Sequence, residues 1–275
     1  RIERVQAGRQ SVVDGVLQVD RLGERASAHD AEHGPEELGE VSATPRLDTC
    51  LDARRPQPAR GDVLVLAYHD IVPHGERVAG DRSLHLPQAR FAEQLDALAR
   101  THDIVPLDRV LDRRTGARPA VAITFDDAYR GAVTAGVAEL ARRGLPATIF
   151  VATAYVNGGD FWWDVLAAPN AGGLAPALRA RALDECAGSD AAIRAMALRE
   201  HLAVVTPPPA HAHGASEREL AAAARERGIT LGSHTHSHPN LARLAPDALR
   251  TELETPLAWL RERFTNVLPM LSYPS

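Results

Sequence analysis

The chain has 275 residues, enough for one large domain or two small ones. Hydrophobic residues make up 45% of it, so a sizeable core can be buried, and the net charge of -5 offers no electrostatic case for binding nucleic acid. There is no run of the roughly 18 apolar residues that a membrane span needs, and no signal-peptide pattern, which slightly favours a cytoplasmic location. Cys50 and Cys186 are far apart and are expected to be unpaired thiols.

The first part of the chain is rich in Arg, Glu, Gly, Ala and Pro and shows weak periodicity. We expect residues 1–60 to form a poorly ordered extension, with a linker at 54–61. Residues 61–275 are expected to form one domain that carries the function.

From residue 61 onward, short apolar runs alternate with helical patterns. Strands are predicted at 63–68, 104–105, 120–125, 146–151, 229–233 and 268–273. Helices are predicted at 87–101, 129–143 and 246–264. Gly144 is a typical residue after a helix end, and Pro256 predicts a kink or an interruption in the last helix. This alternation predicts a parallel α/β architecture with right-handed crossovers.

Residues 165–227 break the alternation, because they are rich in Ala and Arg and too long for an ordinary strand-to-helix connection. Helices are predicted there at 174–187, 190–203 and 216–227. We interpret this segment as a helical insertion over one face of the fold.

Two adjacent acids, Asp126 and Asp127, stand where the apolar strand 120–125 ends. In parallel α/β folds the carboxyl ends of strands build the active site. Adjacent side chains at a strand end point in different directions, so one acid can bind a metal while the other acts as a base. The alternative is an acidic pair that caps the helix beginning near Ala128.

Three histidines, His234, His236 and His238, directly follow the strand 229–233. Neutral imidazole is a common ligand for zinc and related ions. His234 and His238 are four residues apart, and one helical turn would place them on one face, whereas His236 would point elsewhere. Such a cluster favours a metal site over incidental polar residues.

Together the two motifs predict an open metal site with Asp127, His234 and His238 as ligands. Two histidines and one carboxylate leave positions for water and substrate. A metal held in this way activates water and polarises a carbonyl, and Asp126 can accept the proton of the water. The combination predicts metal-assisted hydrolysis of an acyl bond.

The stretches 124–127 (Thr-Phe-Asp-Asp) and 234–241 (His-Thr-His-Ser-His-Pro-Asn-Leu), with Tyr68-His69 on the first strand, resemble the polysaccharide deacetylase family. This is the NodB-like group, carbohydrate esterase family 4, and the resemblance runs from about residue 63 to the end of the chain. It implies an α/β fold, a distorted (β/α) barrel of the TIM-like type.

The resemblance also implies the chemistry of the site. Asp126 would be the general base, and Asp127, His234 and His238 would hold a divalent metal, most suitably zinc, with cobalt, nickel and manganese as alternatives. The implied partner is an acetylated poly- or oligosaccharide, from which N-acetyl or, as the alternative, O-acetyl groups are removed. Neither nucleic acid nor a membrane span is expected, and the sequence carries no indication of the oligomeric state.

The last residues, 271–275 (Leu-Ser-Tyr-Pro-Ser), resemble a variant of the third motif of the family. The resemblance implies that the backbone N–H of Ser275 stabilises the oxyanion and that Tyr273 and Pro274 line the substrate site. Ser272 stands where the family usually has an arginine.

The later family segments, which supply the general acid and its support, would come after Ser275. We therefore expect a barrel that is incomplete at its C-terminus and a truncated chain. The main alternative function is a catalytically impaired carbohydrate-binding barrel, and a further one is hydrolysis of peptides or small amides.

Other polar and aromatic residues near the predicted site have two open roles. His69 ends the first strand and either contacts substrate or packs. Trp163 lies in the stretch 161–164 (Phe-Trp-Trp-Asp), whose aromatic rings either stack on a sugar or plug the space under the insertion. The remaining histidines are expected to be solvated: His29, His33, His74, His85, His102, His201, His211 and His213.

Overall fold

The structure of the chain, a computed structural model, describes residues 2–5, 16–18, 63–111, 118–167, 173–202, 204 and 208–274. Its strands are β1 (Ile2–Val5), β2 (Val16–Gln18), β3 (Val63–Tyr68), β4 (Asp70–Val72), β5 (His85–Pro87), β6 (Asp103–Ile104), β7 (Ala120–Phe125), β8 (Ala147–Val151), β9 (Ile229–Ser233) and β10 (Val267–Ser272).

The helices of the described residues are α1 (Gln88–Thr101), α2 (Leu107–Leu111), α3 (Val137–Arg143), α4 (Trp162–Val165), α5 (Pro176–Asp184), α6 (Asp190–Arg199), α7 (Glu217–Ala223) and α8 (Pro246–Arg263). A π-helical turn (Ala132–Gly136) precedes α3, and short 3-10 helices lie at Thr153–Tyr155, Ala210–Ala212 and Leu241–Arg243. None of the helices in these ranges is long and apolar enough to cross a membrane.

Eight strands form one sheet with the order β1-β3-β7-β8-β9-β10-β2, and β6 pairs with the first half of β7. The strands from β3 to β10 along this path are parallel, whereas β1 and β2 add antiparallel edges. The predicted α/β class is therefore confirmed. Most of the predicted extension 1–60 lies outside the described residues, so its disorder stays a prediction.

The register of the sheet brings the carboxyl ends of the central strands to one edge. Tyr68 at the end of β3 lies opposite Phe125 at the end of β7. Val151 at the end of β8 lies opposite Ser233 at the end of β9. All six residues of β7 are buried, as a central parallel strand covered on both faces requires. The residues that follow these strands therefore meet at the same edge of the sheet.

The helices predicted at 87–101 and 246–264 are present with small shifts at their ends, and the one predicted at 129–143 consists of the π-helical turn Ala132–Gly136 followed by α3. Phe91, Leu95 and Leu98, the apolar positions that predicted α1, are all buried. Gly144 adopts the left-handed conformation after α3, with φ of 64°. Pro256 is buried and does not interrupt α8, which runs through it, so the kink that was predicted as the other outcome stays a prediction.

The segment between β8 and β9 contains the three predicted helices as α5, α6 and α7, each shorter than expected. The sequence patterns missed the small helix α4 at the start of this segment and a second sheet, in which β4 and β5 pair in parallel. Both buried Asp70 and buried His85 belong to that small sheet. Cys186 is a free thiol, as expected, and Cys50 lies outside the described residues.

Truncation of Leu140 in α3 tests the packing of the main core. Its side chain is fully buried in the largest hydrophobic cluster, so Leu140→Ala should lower the free energy of unfolding by about 2–5 kcal/mol. Leu198→Ala is the matched control, because Leu198 is 78% exposed and its truncation should cost less than about 0.5 kcal/mol. Urea denaturation followed by circular dichroism measures both, and equal losses would contradict the assigned core.

Candidate metal centre and active site

Asp127, His234 and His238 converge at the carboxyl edge of the sheet. Asp127 follows β7, and the two histidines lie in the loop after β9. The Oδ1 atom of Asp127 lies 3.4 Å from Nε2 of His234 and 3.4 Å from Nε2 of His238. One ligand atom from each of the three side chains lies within 4.8 Å of the others.

The spacing of these atoms fits a metal ion better than hydrogen bonds. Ligand atoms at about 2.0–2.2 Å from one tetrahedral zinc ion stand roughly 3.3–3.6 Å apart, whereas hydrogen-bonded atoms approach to about 2.7–3.2 Å. The Oδ1 atom of Asp127 is also buried and has no hydrogen-bond partner among the described residues. A buried carboxylate oxygen without a partner is costly, and a cation between the three side chains would compensate it.

His234 is oriented by the last strand of the sheet. Its Nδ1–H donates to the backbone carbonyl of Ser272 in β10, at 2.9 Å. This hydrogen bond selects the tautomer in which the lone pair of Nε2 faces Asp127, the arrangement typical of metal-bound histidines.

The loops that carry the ligands have an irregular backbone. Asp127, Ala128, Thr235 and His238 all adopt positive φ angles, between 57° and 67°, which are unfavourable for residues other than glycine. Glu252 of α8 stabilises the second loop, because its carboxylate accepts hydrogen bonds from the backbone N–H groups of residues 236 and 237. Such strained conformations cluster at functional sites.

His236 points away from the three ligands, as predicted. Its Nδ1 lies 2.9 Å from Oγ1 of Thr153, in the short helix after β8. The backbone N–H of His238 donates to Oγ1 of Thr235, which closes the turn between the two ligands.

The electrostatic environment suits a cation. Burial raises the pKa of Asp127, and the nearby carboxylates of Asp126 and Asp164 raise it further. Burial lowers the pKa of His238, and His234 lowers it further, so the imidazole is neutral. Burial is the largest cause of both shifts, because it disfavours the charged form of each group.

Asp126 and His69 lie beside the ligands. The backbone N–H of Asp126 donates to the carbonyl of Tyr68, and its Oδ1 atom is buried without a hydrogen-bond partner among the described residues. Burial lowers the pKa of half-buried His69 to about 4, although the charge of Asp126 acts in the opposite direction. His69 is therefore a neutral group near Asp126.

The other predicted site residues differ in position. Tyr273 is 39% exposed and Pro274 is half-buried, directly after β10 at the same edge of the sheet. Ser275 lies outside the described residues. Trp163 is only 3% exposed, and its ring centroid lies 4.7 Å from that of His238. Of the two roles left open for Trp163, burial favours packing over stacking on a sugar.

A second group of titratable side chains was missed by the sequence patterns. Asp70, His85 and His211 are buried together, and their ligand atoms also lie within 4.8 Å of one another. However, Oδ2 of Asp70 lies 2.8 Å from Nδ1 of His85 and 2.6 Å from Nδ1 of His211. These are hydrogen-bond distances, and Nε2 of His85 makes a further one, 2.8 Å, to Asp164. This group is an ion-pair network and not a metal site.

The network changes the charge of its histidines. Burial alone would lower the pKa of His85, but hydrogen bonds to Asp164 and Asp70 and their charges outweigh it and raise the pKa to about 10. Burial would also lower the pKa of His211, but the hydrogen bond to Asp70, the charge of Asp70 and the hydrogen bond to the backbone of Arg77 together outweigh it and raise that pKa. The sequence patterns predicted that the histidines outside the motifs are solvated. This prediction is wrong for three of them, His85, His102 and His211, which are 6%, 7% and 2% exposed.

The sequence of the chain matches the family described as Polysaccharide deacetylase over residues 113–275. The chain belongs to the polysaccharide deacetylase family. It is accordingly a carbohydrate deacetylase, a hydrolase, as predicted. Comparison with curated proteins gives no match.

Several solved deacetylases share part of the backbone arrangement. The Streptococcus pyogenes deacetylase PplD, in complex with acetate, is 16% identical, with 74% of this chain and 70% of that chain covered and a TM-score of 0.47. IcaB from Ammonifex degensii is 17% identical, with 77% and 73% covered and a TM-score of 0.48. The BpsB deacetylase domain from Bordetella bronchiseptica is 16% identical, with 77% and 80% covered and a TM-score of 0.44.

The raised pKa of His85 predicts a pH dependence of stability. A histidine whose pKa rises on folding stabilises the protein fully below its unfolded value, about 6.5, and loses that effect as pH rises through the folded value. Because the folded pKa is about 10, the free energy of unfolding should fall between these two pH values. His85→Gln should be less stable near neutral pH and should remove about 2–4 kcal/mol of that fall.

Urea denaturation of the metal-free protein at several pH values measures this effect. His201→Gln is the matched control, since His201 is exposed, and it should keep the pH dependence of the parent protein. An identical pH dependence in the His85 variant would contradict the charged network.

Proposed function

We propose that this deacetylase binds one divalent metal through Asp127, His234 and His238 and uses it to remove N-acetyl groups from a poly- or oligosaccharide. The observation that carries the proposal is the buried Oδ1 of Asp127, which has no hydrogen-bond partner in the described part of the chain and lies 3.4 Å from two imidazole nitrogens. When bound, the metal supplies Lewis acidity, which polarises the acyl carbonyl and makes water nucleophilic at neutral pH. Zinc suits two imidazoles and one carboxylate, with cobalt, nickel or manganese as substitutes.

Asp126 is the proposed general base. Its Oδ1 has no hydrogen-bond partner among the described residues, and it stands next to a metal ligand in the chain, so the carboxylate is free to accept a proton from the attacking water. Its backbone is fixed by the hydrogen bond to Tyr68, 2.8 Å long, which limits the positions that the carboxylate can take. The neighbouring Asp127 is committed to the cation, so the two acids have separate tasks.

The substrate is proposed to lie between β3 and β10 at the carboxyl edge. Half-buried His69 beside Asp126 would contact the acyl group or the sugar next to it. Tyr273, which is exposed, and Pro274 would line the other side. The backbone N–H of Ser275 is proposed to donate to the oxyanion, a contribution that is typically worth about 100- to 1000-fold in rate.

Metal binding is tested by the substitution Asp127→Asn. We expect the unmodified protein, freed of metal with a chelator, to bind one Zn²⁺ per chain and not two, because the Asp70 network is hydrogen-bonded. Asp127→Asn should weaken Zn²⁺ binding at least about 10- to 100-fold, since it removes the carboxylate of the site. Asp184→Asn is the matched control at a side chain that is 64% exposed, and it should leave the affinity unchanged.

Isothermal titration with Zn²⁺ measures the number of sites and the affinity. Two sites per chain, with the second removed by His211→Gln, would contradict the assignment of the Asp70 group. Unchanged affinity in Asp127→Asn would contradict the proposed metal centre.

Catalysis is tested by Asp126→Asn. This variant should keep Zn²⁺ binding but lose about 100- to 10,000-fold in the rate of acetate release, because the attacking water loses its base. Acetate is measured with N-acetylated and O-acetylated oligosaccharides, with and without added Zn²⁺ or Co²⁺, and Asp184→Asn again serves as the control. Faster release from the O-acetylated substrates would reassign the acyl bond.

A catalytically impaired carbohydrate-binding barrel makes a different prediction in the same assay. The sugar would bind to the metal-loaded protein, but no acetate would be released from either substrate, and Asp126→Asn would change nothing. That result would overturn the proposed mechanism while leaving the metal centre intact.

A further inference from the structure

A buried phenol hydroxyl, that of Tyr129, joins two parts of the metal site. Nε1–H of Trp163 donates to it at 2.6 Å, and the hydroxyl itself donates to Oδ2 of Asp164 at 2.6 Å. Tyr129, Trp163 and Asp164 are 0%, 3% and 1% exposed. The hydroxyl therefore uses both its donor and an acceptor position in a region from which water is excluded.

We call this hydrogen-bonded chain of Trp163, Tyr129 and Asp164 the relay, and two of its members adjoin different proposed metal ligands. Tyr129 lies two residues after Asp127, in the turn where Asp127 and Ala128 have positive φ angles of 67° and 57°. The indole of Trp163 packs against the ring of His238, with 4.7 Å between centroids. One hydroxyl thus connects the turn that carries the carboxylate ligand with the ring that packs on a histidine ligand.

Asp164, at the far end of the relay, has further hydrogen-bond partners. Oδ1 of Asp164 accepts from His85 at 2.8 Å and from the backbone N–H of Asp81 at 2.8 Å. His85 in turn bonds to Asp70, which closes the ion-pair network. Charge-assisted hydrogen bonds of this kind are short and strong, so they restrict the motion of the side chains that they join.

We infer that Tyr129 is a positioning residue, whose hydroxyl holds Asp127 and His238 at the spacing that the metal requires. The inference rests on the proposed metal centre. Groups behind the ligands commonly orient them, and their removal typically weakens metal affinity about 10- to 100-fold. His234 has its own support from the carbonyl of Ser272, so the relay accounts for the two ligands that this carbonyl does not hold.

The experiment compares Tyr129→Phe with Tyr155→Phe. Tyr155 is an apt control because it is 6% exposed, packs on the same aromatic residues, and has a buried hydroxyl without a hydrogen-bond partner among the described residues. Both substitutions remove one buried hydroxyl from one aromatic cluster, but only Tyr129→Phe breaks the relay. Neither residue belongs to the proposed ligands or to the proposed base.

The measured quantities are the dissociation constant for Zn²⁺, from competition with a chromophoric chelator, and the visible absorption spectrum of the Co²⁺ form. We expect Tyr129→Phe to weaken Zn²⁺ binding about 10- to 100-fold and to alter the Co²⁺ spectrum, whereas Tyr155→Phe changes neither. A loss of stability in Tyr129→Phe, with the affinity and the spectrum of the parent protein, would overturn the inference.

Trp163→Phe provides a second variant, in case Tyr129→Phe does not fold. It keeps an aromatic ring against His238 but removes the N–H that bonds to Tyr129, so it should weaken Zn²⁺ binding in the same direction. In the double variant the two losses should not add, because both break one relay. Zn²⁺ affinity that is unaffected by Trp163→Phe would overturn the inference, whereas failure of the unmodified protein to bind Zn²⁺ would overturn the metal centre and the inference together.

Discussion

The burial of carboxylates is the physical constraint on which this site depends. Asp70, Asp127 and Asp164 are 0%, 2% and 1% exposed, and a buried carboxylate is costly unless a counter-charge or hydrogen bonds compensate it. Asp70 and Asp164 are compensated by His85, whose ring nitrogens lie 2.8 Å from each. Asp127 instead faces the imidazoles of His234 and His238 at 3.4 Å, a distance that leaves room for a cation. Hydrogen bonds hold the Asp70 cluster together, whereas a divalent metal is proposed to bind between Asp127, His234 and His238.

The backbone near these two clusters departs from regular helix and strand geometry. The loops with the proposed ligands contain four residues other than glycine at positive φ, and a π-helical turn, Ala132–Gly136, follows the loop that contains Asp127. Gly131, which precedes that turn, has a regular helical φ, but a side chain there would collide with the carboxylate of Asp70 and the carbonyl of Ile71. Strained φ angles and the close contact at Gly131 are therefore concentrated around the buried carboxylates, next to the regular strands of the sheet.

Much of the fold could be predicted because its signals are local. Apolar runs predicted β3, β7, β8 and β9, and their ends were correct to within one residue. The two ligand motifs were visible because each is contiguous and follows a buried strand. In contrast, β4 and β5 are three residues long and carry no periodicity, so the small sheet was missed. The buried network could not be seen either, because Asp70 meets His85 and His211 across 15 and 141 positions of the chain.

The sequence by itself determined the α/β class, the membership of the deacetylase family and the identity of the three candidate ligands, because those properties depend on short segments whose spacing is set along the chain. Only the tertiary structure decided which histidines pair with carboxylates, that Trp163 is buried, and that Tyr129 connects Asp127 to the ring beside His238. These depend on distances between side chains from different segments. A difference of less than 1 Å, between 2.8 Å in one cluster and 3.4 Å in the other, separates a hydrogen bond from a place for a metal ion.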